Sequence, residues 1–547
     1  MPNYLETAKL DFHGMEERRW TGPRLRNATI VGHTTTSSTR LWVRTRKEGK
    51  YHLILCENRL TLDDLEIGNK NANEYIEHLG DNVIYTHMHN FRNATDRTHV
   101  FDIDTLSVGT RYYYYVISNR VSEDDRVIIG RQVLHSFKTI SSDISSLVFG
   151  LYSCHDPHKN NSDTLPWKRM YSVLEEQEAD FVIGGGDQVY VDKSETDIWK
   201  WLTKIKKDLL KKTKPEIYKI MQSWYQDVYR GYWGFPDVRR VHRSFPNYMI
   251  WDDHEIMDGW GSRTRSELSN EIDTWYEWEI PKDNLMLADT MFEAAKTVYG
   301  QYQHGHNPPT AKGVFDFQLV QKHSELYFMD MRGKREFDEE RLRQRDGSSA
   351  TDRVLGKHQL ARLLDWLNKI SAGTRIIYIV SPVPVVHWTG FVVNTADVLG
   401  IKDDLRDEWD HETNHIERNK ILDAVFKVSD EKGIPVAFLS GDVHMSAAYR
   451  LMNNNYRKAR VFQITSSPIT RPPAPKIASI ILSDAGYLKT GNVFSDYQYK
   501  RLGKFHSRNF CVLNSQVSDK GYLTVDVTFH GEAEDRNEAR EKQIILI

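Results

Sequence analysis

The chain has 547 residues, far more than one hydrophobic core usually serves, so at least two domains are expected. Apolar residues make up 39% and charged residues 27% of the chain, as in an ordinary globular protein. The net charge of −3 gives no global signal for binding nucleic acid or membranes. Three cysteines, Cys56, Cys154 and Cys511, are too few for a disulfide framework.

The N-terminus lacks targeting signals. Residues 1–26 are polar and charged and contain no apolar core of a signal peptide. No run in the chain approaches the ~18 apolar residues of a membrane span. We therefore expect residues 1–28 to form an irregular arm and the protein to be cytoplasmic, or extracytoplasmic if a leader has been removed.

The stretch 29–142 predicts an all-β sandwich of the fibronectin or immunoglobulin type, because short alternating strands are separated by polar turns. Strands are expected at 39–44, 51–56, 99–103 and 111–116. The Leu-x-x-Gly-Thr-x-Tyr-x-Tyr stretch at 106–114 resembles the E–F corner of fibronectin type III-like domains. The tyrosines at 112–115 are expected to alternate between core and surface, since successive side chains of a strand point to opposite faces.

From residue 143 to residue 547 strands alternate with helices, which predicts a layered α/β domain with βαβ units. Helices are expected at 169–178, 355–370 and 416–428, each followed by an apolar strand. The strand expected at 522–529 is predicted to complete this domain and not to form a third one.

The segment 200–219 carries eight lysines, with Trp201, Ile205 and Leu209 spaced four residues apart. A basic amphipathic helix of this kind can lie on an anionic membrane surface or attract a phosphorylated substrate. A surface helix with a solvated lysine face is the commoner arrangement, and the sequence favours it.

Four apolar stretches each predict a buried strand that ends in metal-binding side chains; they are 147–156, 181–190, 248–255 and 436–444. Their polar ends contain Cys154, His155, Asp187, Tyr190, Asp252, Asp253, His254, Glu255, Asp442 and His444. In α/β sheets ligands bind at the carboxyl ends of the strands. We therefore expect the ends of these strands to converge on one metal site.

Each motif alone is a weak signal. Three glycines let the backbone turn tightly before Asp187 and let an ion approach, although an aspartate there could also act as a helix cap. Asp252 and Asp253 repel each other unless a cation lies between them; the alternative is a charged surface loop. In an extended chain Asp442 and His444 point to the same side, so one metal could bind both.

Cys154 is open to three interpretations: a nucleophile, a thiolate metal ligand or a buried free thiol. Adjacent side chains in a strand point in opposite directions, so His155 is badly placed to act as its base. A metal ligand fits the convergence of the four motifs best. Tyr190 could join the same site, because a tyrosinate is a good ligand for ferric iron.

Taken together, the motifs resemble those of the PhoD-type alkaline phosphatases, a branch of the calcineurin-like metallophosphoesterases. The resemblance is carried by Ser153-Cys154, 186–190, 251–255 and 440–444, and extends to 330–333, Leu355-Gly356-x-x-Gln359 and Trp366-Leu367. It also includes a β-sandwich domain that precedes the metallophosphatase domain, and so covers most of the chain.

The resemblance implies a ferric iron held by Cys154, Asp187, Tyr190 and Asp442, with calcium ions alongside and zinc or manganese as alternatives. Asp187 would bridge to a second metal at Asp253, and Asp252 and His444 are further candidate ligands. His254 would protonate or hydrogen-bond the leaving group. Arg332 would stabilise the phosphoryl oxygens, its alternative role being a structural ion pair.

The implied function is metal-dependent hydrolysis of a small phosphate ester, monoester or diester, by metal-activated water. The alternative enzyme is a strict phosphodiesterase for nucleotide or phospholipid-type diesters. The alternative from another class is a non-catalytic binding protein. The sequence leaves the natural substrate and the oligomeric state open.

Overall fold

The computed structural model describes residues 23–66, 68, 70–119, 128–192, 198, 201, 208–209, 211–276, 281–386, 406–475, 484–490, 493–532 and 539–547. Most of the predicted arm lies outside the described residues, as do residues 200, 202–207 and 210 of the lysine-rich segment 200–219. The last residues of that segment, from Lys214, begin a helix that extends to Tyr232. Whether the segment contacts a membrane or a substrate stays a prediction. Trp201 and Leu209 within that segment are buried. None of the described helices combines the length and the apolar character that crossing a membrane requires.

The N-terminal region is rich in β-structure, as expected. Its elements are β1 Ala28–Thr34, β2 Thr39–Arg44, β3 Gly49–Cys56, α1 Ala72–Leu79, β4 Tyr85–Phe91, β5 Thr98–Ile103, β6 Arg111–Ser118, β7 Ile128–Ile129 and β8 Ser136–Lys138. One sheet has the order β1-β2-β5, and the other has the order β4-β3-β6-β7 with β8 also paired to β6. Buried side chains of both sheets form one core. An immunoglobulin-like topology and the domain boundaries stay predictions.

Helix α1 changes what the second sheet exposes. Asn71 caps the helix by accepting from the backbone of Asn73 and Glu74, and the Glu74 side chain accepts from the Asn71 backbone. The apolar face of α1 covers the side of β6 that carries Tyr115, which is only 3% exposed. The expected alternation between core and surface is therefore wrong at Tyr115, because both faces of this strand are covered.

The rest of the chain is a mixed α/β structure. Its helices are α2 Leu165–Glu176, α3 Lys214–Tyr232, α4 Pro236–His242, α5 Arg265–Tyr276, α6 Pro281–Tyr302, α7 Glu339–Asp346, α8 Gly356–Asn368 and α9 His415–Lys432. Its strands are β9 Ser146–Tyr152, β10 Phe181–Gly185, β11 Asn247–Ile250, β12 Phe317–Gln321, β13 Ser324–Phe328, β14 Ile376–Val380, β15 Val436–Ser440, β16 Ser446–Asn453, β17 Val461–Thr465, β18 Ala485–Thr490, β19 Val493–Phe505, β20 Asn509–Val517, β21 Leu523–Glu532 and β22 Ala539–Ile545.

These strands form two sheets. The six-stranded sheet has the order β11-β10-β9-β20-β21-β22, and the eight-stranded sheet has the order β12-β13-β14-β15-β17-β16-β19-β18. β9, β10 and β11 are parallel, as are β13, β14, β15 and β17. The C-terminal strand β20 pairs with β9, so the last strands complete this part of the molecule as expected.

The two sheets pack face to face, and helices cover their outer faces. Between the sheets the ring of Phe149 stacks on Phe181 at 4.8 Å and meets Tyr378 edge-on at 5.1 Å. Helices α2 and α4 pack on the six-stranded sheet, and helices α8 and α9 pack on the eight-stranded sheet. The site motifs therefore come from two facing sheets, whereas the sequence suggested the edge of an open one.

A buried ion-pair cluster joins the β-rich region to helices α3 and α6. Asp96 receives two bonds from Arg44, at 3.1 and 3.0 Å, and lies 2.8 Å from Arg230; Tyr302 also donates to it. Burial alone would raise the pKa of Asp96, but Arg230 and Arg44 outweigh burial and hold the pKa below its usual range.

We expect Asp96→Asn to lower the free energy of unfolding by about 3 to 5 kcal/mol, because two arginines lose the charge that compensates them. Denaturant titration of the purified variant measures this. The matched control is Asp102→Asn, whose carboxylate pairs with Arg40 but is 70% exposed. Its effect should stay below about 1 kcal/mol. Equal effects of the two substitutions would contradict the prediction.

Candidate metal centre

The polar ends of the four motifs meet where β9, β10, β11 and β15 end. Cys154 Sγ lies 3.5 Å from Asp187 Oδ2 and 3.2 Å from the backbone oxygen of Asp442. The Tyr190 hydroxyl donates to Asp187 Oδ2 at 2.8 Å and lies 3.5 Å from His444 Nε2. Strands that are far apart in sequence thus deliver a thiol, a carboxylate, a phenol and an imidazole to one place.

Several of these residues sit in turns and not in the strands themselves. Cys154, Asp187, Asp442 and His444 have φ values of 56°, 56°, 62° and 52°. Such left-handed conformations cost side-chain-bearing residues on the order of 1 kcal/mol or more and tend to cluster at functional sites. The extended geometry expected for 442–444 is wrong, because the His444 amide donates to the Asp442 carbonyl at 2.7 Å in a tight turn.

Gly186 shows why glycine precedes Asp187. Its φ is +105°, and a Cβ there would lie 2.9 Å from the Cβ of Asp252. A side chain at this position would therefore strain the backbone and also push the third motif away. The glycine allows two carboxylates from neighbouring strands to approach each other.

Metal-ligating atoms form overlapping groups at this place. Among the described residues, three groups have all their ligand atoms within 4.8 Å of one another. They are Cys154 with Asp187 and His444, Asp187 with Asp253 and His254, and Asp192 with His254 and Asp258. The first two share Asp187, which is the arrangement expected of a carboxylate between two ions. Asp252 and Asp442 belong to none of the three groups.

The centre concentrates negative charge away from water. Burial is the main cause that raises the pKa of Asp187 to about 6 and the pKa of Asp252 to about 8, and Asp253 adds to both. Burial and then Glu408 raise the pKa of Asp442 well above its ordinary value. Carboxyl groups this close together are stable in their charged form when a cation compensates their charge.

The donor atoms fit metal ions. Oδ1 of Asp187 and Oδ2 of Asp252 are buried and have no hydrogen-bond partner within the described part of the chain. Burial, followed by Asp187, raises the pKa of the Cys154 thiol and of the Tyr190 phenol well above their ordinary values. A bound cation would lower both pKa values, so that the thiol and the phenol would lose their protons and bind as anions.

Glu255 organises the backbone around these ligands. Its carboxylate accepts from the amides of Asp187 at 3.1 Å, Gln188 at 2.6 Å and Asp252 at 2.9 Å. The Gln303 side chain donates to it at 2.9 Å. Glu255 thereby ties the turns after β10 and β11 together, a role that its place in the motif did not reveal.

His254 is oriented by a carboxylate that the sequence analysis missed. Its Nδ1 lies 2.9 Å from Asp192 Oδ2, and its ring packs on the Tyr190 ring with centroids 4.2 Å apart. Nε2 lies 3.5 Å from the half-exposed Asp258. Asp192 lies five residues after Asp187. An acidic residue so close to the second motif was the signal that could have identified it as a partner of the site.

The contacts of His155 agree with the expectation that it is badly placed to act as a base for Cys154. One ring nitrogen contacts Thr470 at 3.1 Å, and the other contacts the Tyr232 carbonyl at 3.0 Å. Trp167 donates to the same ring at 3.0 Å. Both ring nitrogens of His155 are therefore engaged in hydrogen bonds with residues other than Cys154.

Arg332 is buried among carboxylates. Its Nε donates to Asp252 Oδ1 at 2.6 Å, and its guanidinium lies 3.0 Å from Asp407 and 3.7 Å from Asp253. Only 1% of its side chain is exposed. This geometry favours the structural ion pair over direct contact with a substrate, and the catalytic role stays a prediction.

Arg471 is a more accessible cation that the sequence analysis missed. Its guanidinium lies 4.6 Å above the Tyr190 ring and 3.3 Å from Asp156, and 17% of its side chain is exposed. Its backbone amide donates to the Cys154 carbonyl at 3.3 Å. No spacing in the sequence connects residue 471 to the four motifs.

A family model described as PhoD-like phosphatase matches residues 149–534. The chain belongs to the PhoD-like phosphatase family. This confirms the resemblance seen in the sequence. The family match includes every residue named above at the centre, while their individual roles stay predictions.

The proteins that this PhoD-like chain was found to resemble are distant in sequence. The uncharacterized protein YGR266W of Saccharomyces cerevisiae is 23% identical over an alignment of 327 residues, which covers 50% of this chain and 46% of that protein. The chain thus matches about half the length of that relative. A solved structure of PhoD has a TM-score of 0.63 at 14% identity, over 94% of this chain and 88% of the other, so the fold is shared. A dimetal phosphatase from Danio rerio has a TM-score of 0.31 at 10% identity, over 73% and 99%.

Proposed function

We propose that this PhoD-like protein hydrolyses small phosphate esters with metal ions bound at the candidate centre. The observation that carries the proposal is that two groups of ligand side chains, buried except for the partly buried His444, share Asp187. Family membership supports the same reaction class.

Cys154, Tyr190, Asp187 and His444 would hold one ion, and Asp187 with Asp253 would hold the second. Asp442 and Asp252 are further candidate ligands. Bound there, the ions would supply Lewis-acid activation of water and neutralise charge on the phosphoryl group. Ferric iron with calcium is our proposal for their identity, with zinc or manganese as alternatives.

The protein's own groups would position the ester and move a proton. Asp192 holds Nδ1 of His254. Nε2, which lies 3.5 Å from Asp258, would donate a proton or hydrogen bond to the departing oxygen. Arg471, partly exposed beside Tyr190, would bind a non-bridging phosphoryl oxygen. Its position at the solvent side suits contact with the ester better than the buried Arg332.

We expect Arg471→Gln to lower kcat/KM about tenfold or more, because a charge-assisted hydrogen bond to the phosphoryl group is lost. Steady-state kinetics measure this, and Arg471→Lys should recover part of the loss. Arg375→Gln, an exposed arginine before β14, is the control. Unchanged kcat/KM in Arg471→Gln with normal metal content would contradict the role.

Metal analysis of the purified protein, its visible absorption spectrum and paired assays on an aryl phosphate monoester and diester test the proposed function. Iron with a broad tyrosinate-to-iron band, absent from Tyr190→Phe, together with hydrolysis would support it. Turnover of the diester alone would favour a strict phosphodiesterase. Protein that stays inert after iron, calcium, zinc and manganese are supplied would overturn the proposal and favour a binding role.

A further inference from the structure

Two stacked histidines join the two sheets of the β-rich region along one side. His89 lies on β4, the end strand of one sheet, and His99 lies on β5, the end strand of the other. Their ring centroids are 3.5 Å apart, and the ring planes differ by 3°. We call these two residues the histidine pair and the side that they join the β4–β5 edge.

The histidine pair closes the hydrophobic core on this side. Phe91 and Phe101, which are 0% and 2% exposed, lie directly behind it. Phe91 meets His89 edge-on at 5.0 Å, and Phe101 meets His99 edge-on at 4.7 Å. Both histidines are half-buried and so separate the phenylalanines from water. Moving the two rings apart would therefore expose apolar surface, which costs free energy.

The stack is favourable only while the two rings are not both charged. Two imidazolium ions at this distance repel each other, and burial weakens the hydration that each would need. On the β4 side, His87 and Arg92 add further positive charge next to His89. Protonation of the second ring would therefore work against the contact that closes the edge.

The acids near the histidine pair compensate little of this charge. Asp102 is the carboxylate that acts on His99, but it is 70% exposed and already receives a bond from Arg40 at 2.6 Å. Tyr85, also on β4, keeps its proton because burial, followed by Asp104, raises its pKa. Within the described part of the chain, the ring nitrogens of the pair make no hydrogen bond to another residue.

These surroundings make the closed edge sensitive to acid. Burial, followed by His89, lowers the pKa of His99 from 6.5 to about 4, and burial, followed by His87, lowers the pKa of His89. In an opened edge both rings would return to the ordinary value, so the opened form takes up protons that the closed form does not. The free energy of opening is therefore constant above about pH 6.5 and falls as the pH drops from there towards about 4.

The connection between β4 and β5 is anchored separately from the pair. It contains Asp96, whose pKa burial would raise but which Arg230 and Arg44 hold below the usual range. Asp96 therefore keeps its charge in the pH range where the histidine pair titrates. Because Arg230 belongs to α3, the connection stays tied to that helix while the edge itself responds to acid.

We propose that the histidine pair is a pH-sensitive latch, which closes the β4–β5 edge at neutral and alkaline pH and releases it in mild acid. Release exposes the side of the core formed by Phe91 and Phe101, together with the backbone of two end strands. The latch is independent of the proposed function, because neither histidine belongs to the metal centre.

Hydrogen exchange of the full chain at about pH 7 and about pH 4, followed by mass spectrometry on peptides from β4 and β5, tests the latch. Each rate is divided by the intrinsic rate of the same peptide at that pH, so that only the change in protection counts. We expect protection in 85–91 and 98–103 to fall about tenfold or more in acid. Strand β14 is the internal reference and should keep its protection.

His99→Phe keeps an aromatic ring in the stack but removes one of the two charges. A protonated His89 would then face a ring that attracts cations, so its β4 and β5 peptides should lose less than about twofold in protection. The matched control, His78→Gln, removes an exposed histidine of α1 and should behave like the wild type.

Two exchange results would overturn the latch. One is a fall in His99→Phe as large as in the wild type. The other is a fall in β14 as large as in β4 and β5, because acid would then unfold the chain as a whole.

A histidine titration by NMR on the ¹³C-labelled wild-type chain decides the matter if His99→Phe does not fold. The signal of His99 is assigned by its proximity to the Phe101 ring. The latch requires His99 to titrate near pH 4, as its surroundings predict. A pKa of His99 at or above the ordinary value would refute it.

Discussion

Asp187→Asn is expected to abolish phosphate ester hydrolysis, with kcat/KM falling on the order of a thousandfold or more. Asp187 is the residue shared by the two groups of ligand atoms. Its Oδ2 lies near Cys154 and accepts from Tyr190, while its Oδ1 is left without a partner among the described residues. The amide keeps the shape of the side chain but removes the charge that both ions would share.

Metal content and kinetics of the purified variant measure this effect together. The matched control is Asp365→Asn on helix α8, an exposed residue whose partner is Lys369 at 2.8 Å. A near-wild-type melting temperature with lost metal and lost turnover would agree with the expectation. Full activity in Asp187→Asn would refute the metal-centre model.

The strands and the site motifs could be predicted from the sequence because local signals carry them. Apolar runs such as 181–183 and 436–440 identify the buried strands, and the acids, thiol and imidazoles that follow mark their ends. Parallel strands place such ends side by side, so the convergence of Cys154, Asp187 and Tyr190 followed from the pattern alone.

The backbone at the centre could not be predicted in the same way. Periodicity describes extended strands and helices, whereas Asp442 and His444 adopt left-handed conformations in a turn. These conformations depend on tertiary contacts, such as the bond from the His444 amide to the Ser467 hydroxyl at 3.0 Å. Both residues lie near Cys154, but the extended geometry from which this was expected was wrong, and their roles as metal ligands stay predictions.

The sequence also could not identify the residues that reach the centre from distant parts of the chain. Asp407 and Glu408 are buried near Arg332 and Asp252, although they lie more than 70 residues from either motif along the chain. Arg471 likewise reaches the centre because its backbone amide donates to the carbonyl of Cys154, a residue far away along the chain. Charge type alone cannot distinguish such residues from the many surface acids and arginines of this chain.

The second large effect is expected for Cys154→Ala, which should remove turnover and the visible absorption band together. If Cys154 is a metal ligand, its loss takes a donor from the group formed with Asp187 and His444, so the ion there binds weakly or not at all. A nucleophile would behave differently, since metal content would survive while turnover was lost. Metal analysis alongside the assay therefore separates two of the three interpretations.

The third interpretation, a buried free thiol, predicts little more than the cost of a small cavity, about 1 kcal/mol of stability, with activity retained. Cys511→Ala provides the matched control, because Cys511 is also fully buried but lies in β20, where burial raises its pKa to about 12. Cys511→Ala should keep both metal and turnover. Activity retained in both variants would show that the sulfur of Cys154 packs like any other core atom and that the centre binds its ions without it.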